Sequence, residues 1–265
     1  MNFRKCNPLY GYRWFRQGIA LFMRQPWPWL ALVSASFLVT LLVSTLPVLG
    51  LIAIFLLLPG LAAGFMVGAR AVSRGEMLQF PQLLAGFRQM PRPLVAVGGI
   101  NFLITLMGML VISLGWGDEL AKLLELMRST TPDEQAINLA LRELTVPFLL
   151  SLALMLPLSM ASWFAPALIV FKNQGAKSAM LLSLQASIRN FWPFLVYGVL
   201  LFALDAVVSL ALRFVLGALE QLAGETVMES FGMLLTFPIV CAFFAIMLGA
   251  MYVSYEDVFE VGDKA

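Results

Sequence analysis

No histidine occurs anywhere in the 265 residues. Its absence removes the side chain that most often moves protons or holds a metal near neutral pH, so zinc peptidase and metal phosphodiesterase chemistry are not expected. Charge is nearly as scarce. Asp, Glu, Lys and Arg make up 12% of the chain, against roughly a quarter in soluble proteins. The two cysteines, Cys6 before the first apolar run and Cys241 inside the last, form no CxxC pair and are expected as free thiols. There is no phosphate loop, dinucleotide fingerprint or GxSxG elbow, so coupling to nucleotide hydrolysis would need another subunit. A net charge of +2 is too small to point to nucleic acid. The short apolar/polar alternation of a transmembrane barrel is missing too. No catalytic residue, metal site or cofactor is predicted, and the chain is not expected to be an enzyme.

What is present is apolar. Hydrophobic residues make up 61% of the chain and the mean hydropathy is +0.90. Crossing a bilayer takes about 20 mainly apolar residues in helical form. Windows near 27–46, 48–69, 94–116, 147–171, 192–213 and 229–255 meet that requirement. The first is too long for a signal-peptide core and has no small-residue cleavage site after it, so it is expected to stay as a helix. The predicted fold is all-α: a polytopic membrane protein with six transmembrane helices arranged as three hairpins.

Three junctions punctuate this plan. Arg24-Gln25-Pro26-Trp27-Pro28-Trp29, Arg88-Gln89-Met90-Pro91-Arg92-Pro93 and Arg189-Asn190-Phe191-Trp192-Pro193 each place an arginine and an amide before a proline and a span. An amphipathic segment precedes each one. Tyr12, Phe15, Ile19, Phe22 and Met23 oppose Arg13, Arg16, Gln17 and Arg24 in the first. Phe80, Leu83, Leu84, Phe87 and Met90 oppose Gln82, Gly86 and Gln89 in the second, and Met180, Leu184, Ile188 and Phe191 oppose Lys177, Gln185 and Arg189 in the third. Such helices suit either a membrane surface or the protein's own spans, since both bury an apolar face. The chain therefore reads as one transmembrane domain with three internal repeats, about 11–75, 80–172 and 176–259.

Finer features follow from the same reading. Trp27 and Trp29 are expected in an interfacial aromatic belt. Gly60, Gly64 and Gly68 leave one face of the second span bare, so another backbone is expected to pack there. Pro157 and Pro166 should bend the fourth span, with Ser159 or partner helices satisfying the freed carbonyls. Between 117 and 146 lies a hydrophilic loop, predicted to be helical in two pieces, the second opened by a capping box at Thr131-Pro132-Asp133-Glu134. Lys122, Arg128, Arg142 and Arg213 fall on the loop's side, leaving thirteen of the seventeen Lys and Arg on the side of both termini. By the positive-inside rule the termini and amphipathic helices are expected in the cytoplasm, with the loop extracytoplasmic.

Two groups of residues qualify as candidate sites. Asp205 lies deep in the fifth span, where a carboxylate costs on the order of 3 kcal/mol, so it marks either a functional site or a packing contact, with Asn101, Ser209 or a proline-freed carbonyl as partner. Arg213 lies eight residues on, on roughly the same face but about 12 Å along the axis, which is too far for a direct pair. Arg24, Arg88 and Arg189 either bind anionic headgroups or a phosphorylated ligand, or are snorkelling anchors at the interface.

Gly11-Tyr12-Arg13-Trp14 with 24–29, Trp163-Phe164-Ala165-Pro166-Ala167-Leu168, 183–193 and 252–259 together resemble a group of uncharacterised bacterial six-span inner-membrane proteins. Their plan is similar to the membrane domain of some glycerophosphoryl diester phosphodiesterases. The resemblance implies a fold and a bacterial inner-membrane location, and no catalytic residues. The leading expectation is a non-enzymatic inner-membrane protein with an envelope or lipid-associated role. The alternative is a transporter or channel for a small or amphiphilic molecule. Membrane lipids are the expected partners, with a second copy or another membrane protein left open.

Overall fold

The computed structural model describes residues 3–128 and 134–260. Helices run through α1 (Leu9–Arg24), α2 (Pro26–Ser44), α3 (Leu49–Ser73), α4 (Phe80–Leu83), α5 (Ala85–Gln89), α6 (Pro91–Arg128), α7 (Glu134–Glu143), α8 (Thr145–Trp163), α9 (Ala165–Lys172), α10 (Ala176–Arg189), α11 (Phe191–Ala223) and α12 (Glu225–Phe259). No strand occurs among the described residues. Six segments are long and apolar enough to cross a bilayer, with α8 and α9 acting as one span. The chain is thus an all-α polytopic membrane protein.

The loop departs from expectation at its start. Its first helical piece continues from the third span as α6, with a kink at Trp116, where φ is −143° and ψ is 26°. The capping box proposed at 131–134 lies outside the described residues.

The three junctions fall into register when Pro28, Pro93 and Pro193 are aligned. That alignment equates Gln25, Met90 and Asn190, which are the C-caps of α1, α5 and α10. Helix contacts then follow a cyclic order. The surface helix of each unit packs on the spans of the preceding one: α4 and α5 on α3, α10 on α8 and α9, and α1 on α11 and α12. The second spans of all three units meet, with α3 touching both α12 and α9.

The faces of the surface helices differ from the expected ones. In α1 the buried positions are Gly11, Trp14, Gly18 and Leu21, whereas Tyr12 and Met23 are exposed. In α10 they are Ala179, Met180, Ser183, Ala186 and Ser187, with Ile188 exposed. The second segment is broken into α4 and α5 and buries Leu83, Ala85 and Gly86. Small side chains decide the packing because they let backbones touch. A Cβ added at Gly18 would stand 2.7 Å from the Ile246 carbonyl oxygen, and one at Gly11 would stand 2.2 Å from that of Pro193. Apolar residues outside these stripes, such as Tyr12, Met23 and Ile188, point outward, to where lipid lies in a bilayer.

Gly60, Gly64 and Gly68 of α3 meet different neighbours, and only at Gly64 would an added Cβ meet backbone first. Gly60 faces the Phe87 ring, Gly64 the Leu83 backbone and Gly68 the Leu78 side chain. Trp29 departs from the expected belt. It is fully buried and stacks on Phe65 at 6.1 Å, while Trp27 is exposed.

Candidate functional site

The end of the bundle that carries both termini is held by polar contacts from distant parts of the chain. Asn190 is fully buried between α10 and α11. Its Oδ1 accepts from the Cys6 N–H at 2.7 Å, and its Nδ2 donates to the carbonyls of Arg4, at 3.1 Å, and Ala186, at 2.9 Å. Gln25, its counterpart in the first unit, does the same to another extended segment: Oε1 accepts from Leu78 N–H and Nε2 donates to Glu76 O, both at 2.8 Å. Each amide thereby grips residues n and n+2 of the lead-in to the next surface helix. Met90 occupies the third position and cannot. The lead-in it would face is short and is fixed by the left-handed cap Asn173, with φ of 55°.

Beside this clamp, Asp257 of α12 ties down α1. It accepts from Trp14 Nε1 at 3.2 Å and pairs with Arg13 at 3.2 Å. Trp163 Nε1 donates to Ser254 Oγ at 3.1 Å. Phe164 sits edge-on to Phe259 and Phe194, at 5.3 and 5.8 Å. Burial pushes the Cys6 thiol up to about 11, and the Asp257 carboxylate adds to the shift. Stretches that looked separate in one dimension thus converge on one face.

The fourth span breaks at Phe164, and of the two expected sources of repair it is a partner helix, α10, and not Ser159 that supplies it. In an unbroken helix the Phe164 N–H would bond the Met160 carbonyl. Instead the Ser183 hydroxyl stands between them, accepting from Phe164 N at 2.9 Å and donating to Met160 O at 2.6 Å, and Ser187 adds a bond to Met160 O at 3.2 Å. Ser159 takes no part in these bonds. It faces a cavity instead.

Two apolar cavities adjoin there. One of about 340 Å³ lies among α2, α3, α8 and α12, within the second spans of all three units. The other, of about 430 Å³, lies between α8 and α11. Ser159 and Trp163 line both. The second cavity marks a gap in the cyclic arrangement. The first span of the second unit, α6, packs closely on α3, where a Cβ on Gly98 would stand 2.3 Å from the Phe55 carbonyl oxygen, and α2 packs on α12. The corresponding pair, α8 and α11, barely touches beyond the aromatic contacts of Trp163 with Phe194 and Tyr197, at 5.4 and 6.0 Å.

Three phenylalanines in register record the difference. Phe37 packs edge-on to Phe244 at 5.1 Å and Phe102 to Phe55 at 5.6 Å, while Phe202 is 73% exposed. Gly198, the counterpart of Gly98, has no neighbour within 4 Å of where its Cβ would be.

The expected site residues are distributed differently. Asp205 is exposed on α11, and its carboxylate makes no hydrogen bond or ion pair with a described residue; it lines none of these cavities. Asn101 accepts from Ser162 Oγ at 3.1 Å, so it is not the partner of Asp205. The three junction arginines do not form a common site. Arg24 Nη1 donates to the Val72 and Ser73 carbonyls at 3.2 and 3.3 Å, Arg189 lies over the Phe3 ring at 5.4 Å, and Arg88 is exposed, one residue out of register. Arg24 instead shares a polar cavity of about 420 Å³ with Arg70, Arg74, Glu256 and Glu260. Sequence reading missed that cavity because its walls come from three separate helices. The acidic end of α12 and the arginine pair Arg70 and Arg74 were the available signal. No cluster of His, Cys, Asp or Glu suited to a metal occurs among the described residues.

Fold and site together define a multi-pass helical membrane protein with an apolar interior and one polar, interlocked face. A protein of Burkholderia thailandensis named a probable inner membrane protein is 31% identical over 256 residues, covering 95% of this chain and 91% of that one. The chain belongs to its family. No protein-family model matches the chain, and no solved structure matches it.

Proposed function

We propose that this is a non-enzymatic inner-membrane protein with a lipid-associated role in the envelope, holding a lipid acyl chain in the gap between α8 and α11. The observation that carries the reading is the exposure of Phe202 and the empty surroundings of Gly198, where the equivalent residues of the other units are packed. A gap in the hydrocarbon layer fills with chains, because unfilled apolar space forfeits dispersion contacts. The arginine-rich face with both termini is cytoplasmic in this reading, following the excess of Lys and Arg there. The resemblance to the membrane domain of glycerophosphoryl diester phosphodiesterases is taken, in this reading, to concern architecture alone, since these 265 residues hold no histidine for that chemistry.

A transport role is favoured by one feature, the contact between the side gap and the inner cavity through Ser159 and Trp163. Asp205 does not support it. The test is native mass spectrometry of protein extracted with its surrounding lipid. Wild type should retain phospholipid, and Gly198→Trp, which fills the gap, should lose it without loss of thermal stability. Equal retention by the variant overturns the reading, and a dimer mass with no lipid shows that the gap is a protein interface.

A further inference from the structure

We infer that the polar cavity between α1, α3 and α12 is a binding site for a phosphoethanolamine group, with the phosphate on the arginine wall and the ammonium on the carboxylate wall. The charges are segregated by helix. Arg24 comes from α1, Arg70 and Arg74 come from the end of α3, and Glu256 and Glu260 come from the end of α12. The cavity holds about 420 Å³, enough for such a group. It lies where the α3 and α12 spans end, at Ser73 and Phe259, which is the depth of lipid headgroups.

The internal contacts leave donors free on the cationic side. Glu260 is already paired with Arg70, whose guanidinium also lies 4.1 Å over the Phe171 ring, and the Arg70 Nε is buried without a partner. Arg24 uses Nη1 to hold the Val72 and Ser73 carbonyls. Arg74 is exposed, and its guanidinium makes no hydrogen bond with a described residue. A phosphate that reached Arg74 and Arg24 would gain charge-assisted hydrogen bonds. A purely anionic headgroup would gain the same bonds while meeting Glu256 and Glu260, so the α12 wall discriminates against it.

This site is separate from the apolar gap between α8 and α11: Gly198→Trp tests that gap and Arg74→Gln tests this cavity, so either proposal can fail alone. The experiment uses the full chain in nanodiscs of equal parts phosphatidylethanolamine, phosphatidylglycerol and phosphatidylcholine, with bound lipids counted by native mass spectrometry. Phosphatidylethanolamine should be enriched. Arg74→Gln should reduce the phosphatidylethanolamine bound about fivefold, the effect of one interfacial cation, and Glu256→Gln should shift the preference toward phosphatidylglycerol. A parallel arm adds soluble phosphoethanolamine: displacement of the lipid identifies a free compound as an equally good source of the group, and no displacement identifies the lipid as the source. An unchanged amount of bound phosphatidylethanolamine in Arg74→Gln together with an unchanged preference in Glu256→Gln, or enrichment of phosphatidylglycerol in wild type, overturns the proposal.

Discussion

The Ser183 hydroxyl stands inside the backbone ladder of a neighbouring helix, accepting from Phe164 N and donating to Met160 O at 2.9 and 2.6 Å. An unpaired backbone group in an apolar interior is costly, so a helix breaks inside a membrane only where something takes over the bond. Here α10 supplies it. Ser183 sits at the position equivalent to Gly18 in α1, which meets α12 by close backbone contact instead.

Ser183→Ala therefore leaves both Phe164 N and Met160 O short of a partner, with Ser187 covering only the second. The expected loss is about 1–3 kcal/mol, read as a lowered midpoint of thermal unfolding in detergent. Ser183→Thr keeps the hydroxyl and should lose less. Equal melting of Ser183→Ala and wild type would show that the break needs no bridge.

Asn190 and Gln25 make the same grip on different segments, but Asn190 is buried and Gln25 is not. Asn190→Ala should open the segment before α1 and cost about 2–3 kcal/mol through the stranded Cys6 N–H and Arg4 carbonyl. Gln25→Ala, whose partners water can reach, should cost under about 1 kcal/mol. Limited proteolysis reads the difference, near residues 4–8 for Asn190→Ala and near residues 75–79 for Gln25→Ala. Equal sensitivity in the two variants would mean that burial does not separate them.

Span number and pairing were legible in the sequence because apolar length is a one-dimensional property. The packing faces were not. Tyr12, Phe15 and Ile19 form the visible apolar stripe of α1, yet Gly11, Trp14 and Gly18 pack inward. A bilayer removes the penalty for exposing apolar side chains, so the periodicity that marks a core face in water no longer does so. Steric size takes its place as the signal, as where Gly11 and Gly18 admit the Pro193 and Ile246 carbonyls. Asp205 and the polar cavity differ in how they show in one dimension. A lone carboxylate in a span is conspicuous, but the polar cavity is assembled from α1, α3 and α12, whose residues are far apart in sequence.

Cys6 offers a chemical check on the clamp. With its thiol pushed up to about 11 from 9.0, it is protonated at pH 8, and its thiolate fraction is about a hundredfold below that of an unperturbed thiol. In a Cys241→Ala background, labelling by N-ethylmaleimide at pH 8 should be slow in the native protein and fast after unfolding in dodecyl sulfate. Combining that background with Asn190→Ala should raise the native rate by releasing the segment. Fast labelling of the native protein would show that the segment is open already.

Phe37, Phe102 and Phe202 occupy one position of the repeat and should respond unequally to truncation. Phe37→Ala and Phe102→Ala remove edge-on ring contacts between spans and should cost about 1–3 kcal/mol. Phe202 projects from α11 without a ring partner and is 73% exposed, so Phe202→Ala should leave the detergent melting point of the delipidated protein close to wild type. Added phospholipid should then separate the proteins, stabilising wild type more than Phe202→Ala, because bound ligand stabilises in proportion to its occupancy of the folded state. Equal destabilisation by all three truncations in the delipidated protein would mean that α8 and α11 close on each other. The gap would then not exist in solution.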